Sequence, residues 1–240
     1  MTTTTIPPHA GAGQAGGRSA LVAGASGLVG GQLLDRLLAD DTWSCVTVLV
    51  RRPLVREHPK LEQAVVVFDA LDATAPYFAV DDVFCCLGTT RQQAGSADAR
   101  RKVEVAYPLA IARLAQAAGA EQLLAISSLG AAPESRSLYL RLKGELEQAL
   151  ARLPLRTVVA LRPSLLLGVR HQPRPLETLF AGFAQGLWWL MIGPLGRYRP
   201  IAAQAVAAAM VAVARTRQPG KRVIESDEIR ALAAAARERT

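Results

Sequence analysis

The sequence predicts an α/β domain on a doubly wound parallel sheet, with a small C-terminal lobe over the strand ends. Three observations carry this. Short apolar runs alternate with helical stretches between residues 20 and 162, the pattern of β/α units around a parallel sheet. A glycine-rich turn joins the first run to the first helix. From Pro163 to Pro200 the alternation gives way to apolar clusters, five prolines and loop signals. At 240 residues, half of them apolar and a fifth charged, the chain suits one domain able to bury a sizeable core.

Ala20–Ala23 is the first strand, and Leu28, Val29, Leu33, Leu34, Leu37 and Leu38 then recur with helical spacing up to Ala39. Cys45–Val50 is the second strand, Ala64–Phe68 the third and Val83–Leu87 the fourth. A helix is expected over Ala99–Ala118, closed by Gly119. Gln122–Ile126 is the fifth strand, Ser137 to Leu150 a helix, and Arg156–Leu161 the sixth strand, stopped by Arg162-Pro163. Ile201–Arg215 returns as an alanine-rich helix and Glu228–Thr240 as a terminal one. The threonines, prolines and glycines of residues 1–18 read as a disordered leader, so the domain is expected over 19–240. Within it, 163–200 forms a substrate or lid lobe in which Phe180, Phe183, Trp188, Trp189, Leu190 and Met191 supply core or an apolar wall.

Composition narrows the function. The net charge of +8 favours anionic ligands, but no basic tract or aromatic-interleaved basic patch points to nucleic acid. Three cysteines, two of them adjacent, make no disulfide framework, and three scattered histidines make no metal site. The N-terminus lacks the basic and apolar regions of a secretory signal, and the apolar stretch Leu187–Gly193 is too short to span a bilayer. A reducing, cytoplasmic setting is expected, as monomer or homodimer.

Two glycine signatures compete near the N-terminus. Gly11-Ala-Gly13-Gln-Ala-Gly16 matches G-x-G-x-x-G but has no strand before it and no helix after it. Gly24-Ala-Ser26-Gly27-Leu28-Val29-Gly30 has both, as a phosphate-holding loop requires, because the helix N-terminus must aim its free N–H groups at the anion. The second loop is therefore the expected dinucleotide site. About 20 residues beyond a loop of this kind, an acidic residue at the end of the second strand would bond a ribose 2′-hydroxyl. Here Arg51-Arg52 stands there, and a guanidinium suits a 2′-phosphate, which points to NADP(H). Asp69, closing the third strand, is placed near the adenine.

Tyr139-Leu-Arg-Leu-Lys143 puts a phenol and an ammonium at i and i+4 on one helix face. An ammonium beside a phenol stabilises the phenolate, so Tyr139 suits general acid/base work on a carbonyl or alcohol, with Lys143 tuning it and reaching a nicotinamide ribose. Ser127-Ser128 ends the fifth strand, where a hydroxyl polarises the reacting oxygen. Ser128 is favoured, with Ser127 as the alternative.

Gly24–Gly30, Phe84-Cys-Cys-Leu-Gly-Thr-Thr-Arg-Gln-Gln-Ala-Gly95, Tyr139–Lys143 with Gly144-Glu145, and Leu161-Arg-Pro-Ser164 together resemble the Tat-interacting protein family of atypical short-chain dehydrogenases. The resemblance runs from about Ala20 to Val213. It implies a Rossmann fold binding NADPH, with Gly24, Ser26, Gly27, Leu28 and Val29 at the pyrophosphate and Arg51 at the 2′-phosphate. It also implies Leu87, Gly88 and Thr89 along the cofactor, and Tyr139, Lys143 and Pro163 at the nicotinamide. Many short-chain dehydrogenases carry a catalytic asparagine on the fourth helix; this chain has no asparagine, and that helix offers only Glu104 and Tyr107 in its stead. The expected function is NADPH-dependent reduction of a small, rather apolar carbonyl compound. The alternative is an NADPH-binding regulator that acts through a protein partner without efficient turnover.

Overall fold

The computed structural model describes residues 16–72, 75–89, 95–167 and 193–237. Seven parallel strands form one sheet: β1 (Arg18–Ala23), β2 (Trp43–Val50), β3 (Leu61–Val65), β4 (Asp82–Cys85), β5 (Gln122–Ile126), β6 (Thr157–Arg162) and β9 (Gly220–Glu225). Their spatial order is β3-β2-β1-β4-β5-β6-β9, the doubly wound Rossmann order extended by one strand. A short pair, β7 (Leu166–Leu167) with β8 (Ile201–Ala202), stands apart.

Alternation along the strands explains the two layers of helix. On β1, Ala20 and Val22 point into one core and Leu21 and Ala23 into the other, as a period of two requires. The first core is filled by Leu33, Leu34 and Leu37 of α1 (Leu28–Leu38), by the alanine-rich α5 (Ala203–Thr216) and by Ile229 of α6 (Ser226–Arg237). The second is filled by Ile111, Ala112 and Ala115 of α3 (Tyr107–Ala117) and by Leu142, Leu146 and Leu150 of α4 (Leu138–Ala151). Trp43 anchors the amino-terminal edge of the sheet, where its indole donates to Asp82 at 2.8 Å and its ring meets Phe84 edge-on at 6.0 Å.

The structure departs from the sequence reading in several places. β9 is a seventh strand where six were expected; Gly220-Lys-Arg-Val-Ile-Glu225 is a mostly exposed edge with only Ile224 in the core, so it lacks an apolar signature. β3 lies at Leu61–Val65 rather than Ala64–Phe68, because its register pairs Leu61 with Val46 and Val65 with Val50. The helix expected over Ala99–Ala118 is three segments, α2 (Ala97–Arg101), a π-helical turn (Lys102–Ala106) and α3. The terminal helix begins at Ser226. β1 opens at Arg18, one residue before the expected leader boundary. Residues 168–192, with the six apolar side chains expected in the lobe, lie outside the described residues, as do Thr90–Ala94.

Candidate active site

The order of the sheet reverses between β1 and β4, and a cleft opens at the carboxyl ends of strands at such a point. The expected site residues follow those ends: the glycine loop after β1, Arg51-Arg52 after β2, Leu87–Thr89 after β4, Ser127-Ser128 after β5 and Pro163 after β6.

The loop owes its shape to its glycines. Gly24 has φ +90°, and a Cβ there would lie 2.6 Å from the Cys86 carbonyl oxygen. The Gly27 N–H donates to the Gly24 carbonyl at 2.9 Å, closing the turn. A Cβ on Gly30 would stand only 2.1 Å from that same carbonyl oxygen, so α1 packs its first turn directly on the loop. Gly27 caps α1 with no side-chain hydrogen bond, and the first turn holds no acidic residue. Its N–H groups and positive dipole end are left for an anion. These features fit the pyrophosphate of a dinucleotide. Ser26 and Gly27 are exposed and Leu28 is half-buried, whereas the Val29 side chain lies in the core and only its backbone faces the loop.

Arg51 and Arg52 are exposed at the end of β2, and neither has an ion-pair partner among the described residues. Asp69 is also exposed and pairs with Lys102 at 2.8 Å. Hydrogen bonds from Lys102 and Tyr107 hold its carboxyl below the usual carboxylate range. Phe68 packs on the Tyr107 ring at 5.5 Å, so this corner is tied to the start of α3.

Helix α4 brings Tyr139 and Lys143 to the end of β5. Its approach depends on Gly144, where a Cβ would meet the Ala132 carbonyl carbon and the Pro133 nitrogen at 2.4 Å each. Tyr139 is half-buried, with the Lys143 ammonium 6.0 Å from its ring centre. Lys143 is 2% exposed; it donates to the Ile126 carbonyl at 3.0 Å and pairs with Glu104 at 2.9 Å. Burial opposes its charge, but the Glu104 carboxylate, with smaller contributions from Tyr139 and Cys85, holds the ammonium above the ordinary lysine range.

The two serines are held differently. Ser127 is buried and donates to Glu147, which is itself paired with Arg162 at 2.6 Å. Ser128 is half-buried and, among the described residues, reaches only the Leu129 carbonyl, at 3.4 Å. Its hydroxyl is thus the less engaged of the two. Pro163 is buried, and its carbonyl accepts from the Leu129 N–H at 3.0 Å, linking the ends of β5 and β6.

Two residues beside Tyr139 escaped the list of expected site residues. Glu104, on the π-helical turn, is fully buried; besides pairing with Lys143 it accepts from the Thr89 N–H at 2.8 Å. One carboxylate therefore joins the loop after β4 to the lysine of α4. Its place on the fourth helix was readable, but the extra residue of a π-turn that aims it inward was not. The other is Arg100, whose guanidinium lies 4.9 Å from the Tyr139 ring centre. A cavity of about 510 Å³ opens there, lined by Ser96, Arg100, Ser137, Leu138 and Tyr139 among others. No cluster of His, Cys, Asp and Glu able to hold a metal occurs among the described residues, and no helix among them is long and apolar enough to cross a membrane.

Comparison with known proteins agrees with this geometry. A family described as NAD(P)H-binding matches residues 24–166. Protein HTATIP2 of Rattus norvegicus is 41% identical over 170 residues, covering 69% of this chain and 70% of that protein. Protein FMP52 of Eremothecium gossypii, named mitochondrial, is 33% identical over 224 residues, covering 89% of this chain and 96% of its own. Among solved structures, MoeE5 in complex with UDP-glucose and NAD superposes with a TM-score of 0.66 at 17% identity, covering 90% of this chain and 81% of its own. A UDP-glucuronic acid 4-epimerase from Bacillus cereus in complex with NAD gives 0.61 at 14% identity, covering 88% and 78%. The structural likenesses establish the fold.

Proposed function

The chain belongs to the NAD(P)H-binding family, in the group of the Tat-interacting proteins, and we propose that it is an NADPH-dependent oxidoreductase that reduces a small carbonyl compound. The observation that carries this reading is Tyr139 on the wall of a cavity, one helical turn from Lys143, which bonds the end of β5 at Ile126, with Ser128 just beyond that strand end. Gly24, Ser26, Gly27, Leu28 and Val29 would hold the pyrophosphate, Arg51 and Arg52 the 2′-phosphate, and Asp69 the adenine side. Leu87, Gly88 and Thr89 would run along the dinucleotide to Pro163 and the nicotinamide end. The cofactor, when bound, supplies a hydride.

The protein's own part is to orient the carbonyl and to deliver a proton. Ser128 donates a hydrogen bond to the carbonyl oxygen and so favours the charge that develops there. Tyr139 passes its phenolic proton to the same oxygen. Lys143, fixed between Ile126 and Glu104, holds the nicotinamide ribose and sets the field around the phenol. The test is NADPH oxidation against a panel of small aldehydes and ketones. Tyr139→Phe should lower turnover by about 10²–10⁴-fold while cofactor binding persists; equal rates in both proteins would overturn the role of Tyr139.

A second reading, an NADPH-binding regulator without efficient turnover, is favoured by one feature: Lys143 is neutralised by Glu104 rather than left to act on Tyr139 alone. It predicts tight NADPH binding, no carbonyl reduction, and a protein partner whose binding Tyr139→Phe leaves intact. We place the protein in the cytoplasm as a single domain, monomeric or homodimeric. Its three free cysteines fit a reducing compartment, and cell fractionation decides between cytoplasm and mitochondrion.

A further inference from the structure

Arg100 has a role that carbonyl chemistry alone does not use. It projects from α2 into the 510 Å³ cavity beside Tyr139, and its guanidinium lies 4.9 Å from the centre of the tyrosine ring. Its Nε is buried and has no hydrogen-bond partner among the described residues. Arg100 also makes no ion pair among the described residues, although its neighbours do: Arg101 pairs with Glu145 at 2.7 Å and Lys102 with Asp69 at 2.8 Å. Glu104, the buried carboxylate on the turn that follows α2, is engaged by Lys143 and by Thr89. Among the described residues lining the cavity, none is acidic.

An arginine on a surface finds solvent or a carboxylate. One stacked on an aromatic face, with a donor buried and unmet, is arranged for an incoming acceptor. Ser137 lines the same cavity and can add a hydroxyl, whereas the Ser96 hydroxyl is already accepting from the Ala99 N–H at 3.1 Å.

We propose that Arg100 is a specificity-determining residue that binds an anionic group of the substrate, carboxylate or phosphate, close to the carbonyl that Tyr139 protonates. The substrate class is then short oxo acids or phosphorylated ketones rather than neutral apolar carbonyl compounds. This rests on the carbonyl-reducing reading of the Tyr139 site. Because the guanidinium stacks on the ring whose hydroxyl meets the carbonyl oxygen, few bonds separate the anion from the carbonyl. Arg100 forms no covalent bond and transfers no proton; it orients the substrate and offsets its charge.

The test uses two matched pairs, acetoacetate against methyl acetoacetate and hydroxyacetone phosphate against hydroxyacetone. Each is titrated calorimetrically into the full chain saturated with NADP⁺, so that nothing turns over. At least one anion should bind about 10- to 100-fold more tightly than its neutral counterpart, the range of a charge-assisted hydrogen bond. Whichever pair separates identifies carboxylate or phosphate as the group recognised. Arg100→Leu should bring the preferred anion to the affinity of its neutral counterpart at an unchanged melting temperature, and Arg100→Lys should retain part of the preference. Neutral and anionic partners binding alike in the wild type would overturn the proposal, as would an anion preference that survives Arg100→Leu. The same four compounds offered with NADPH separate the two ideas. Reduction of both members of a pair at equal rates removes the role of Arg100 and keeps the carbonyl reading. Anion binding without reduction of any compound removes the carbonyl reading and keeps the anion site.

Discussion

Glu104→Gln isolates the buried pair at the centre of the site. Glu104 is fully buried, Lys143 is 2% exposed, and they are 2.9 Å apart. The amide keeps the shape of the carboxylate and can still accept from the Thr89 N–H, so the change removes chiefly a charge. An ammonium left in the interior without its counter-charge costs about 3–5 kcal/mol. For a chain of this size that is a fall of roughly 6–20 °C in melting temperature. The pH dependence gives the sign. In the wild type Glu104 holds the lysine above its ordinary range, so the pair contributes fully below the unfolded pKa of about 10.4 and is lost as pH rises through the folded value. In the variant burial is no longer offset by the carboxylate and pulls the ammonium down, so the variant gains stability as pH rises toward about 10.4. The gap between the two proteins is therefore widest near neutrality and narrows as pH rises to about 10 and beyond. Urea unfolding followed by circular dichroism at pH 7 and pH 10 measures it. A gap below about 1 kcal/mol at pH 7, or one equal at both pH values, would refute the reasoning. Glu104→Gln with Lys143→Met, which removes both charges, should recover part of the loss.

Other expectations follow from the same geometry. Ser127→Ala should destabilise the protein by about 1–3 kcal/mol, because it strips a buried donor from Glu147. Ser128→Ala should instead leave stability intact and lower carbonyl turnover by about 10²–10³-fold; the reverse pattern in denaturant melts and steady-state rates would exchange their roles. Gly30→Ala sets a Cβ 2.1 Å from the Gly24 carbonyl oxygen, and should cost about 1–3 kcal/mol and weaken NADPH binding. An unchanged melt and Kd would mean that α1 can move off the loop.

The legible parts of the fold were those with a dense local signal. β5 is placed to the residue because Gln122–Ile126 is buried throughout most of its length between β4 and β6. The loop at Gly24–Gly30 was separable from the better pattern match at Gly11–Gly16 because a phosphate-holding loop needs a strand before it and a helix after it. Edge strands were less legible. β9 carries lysine and arginine on an exposed border, and β3 exposes Val65 while drawing Leu61 into the ladder. Both are fixed by pairing with a neighbour rather than by their own apolar pattern.

The site divides in the same way. The i, i+4 pairing of Tyr139 and Lys143 follows from helix geometry and could be read from spacing. The partners of that pair could not, because they arrive from another helix. A π-turn of five residues, Lys102–Ala106, moves Glu104 inward, and the short α2 before it carries Arg100 across to Tyr139. Neither the extra residue of the turn nor the crossing of the two helices leaves a periodic trace. The different settings of Ser127 and Ser128 likewise depend on Glu147, which lies on the helix that follows β5.

The central claim is NADPH binding with the 2′-phosphate on Arg51, and nicotinamide fluorescence tests it most directly. The purified chain and its Arg51→Ala variant are each titrated with NADPH and with NADH. The account predicts NADPH binding at least about tenfold tighter than NADH in the wild type, with the preference lost in the variant. Equal affinity for the two dinucleotides, or a preference that survives Arg51→Ala, would contradict it.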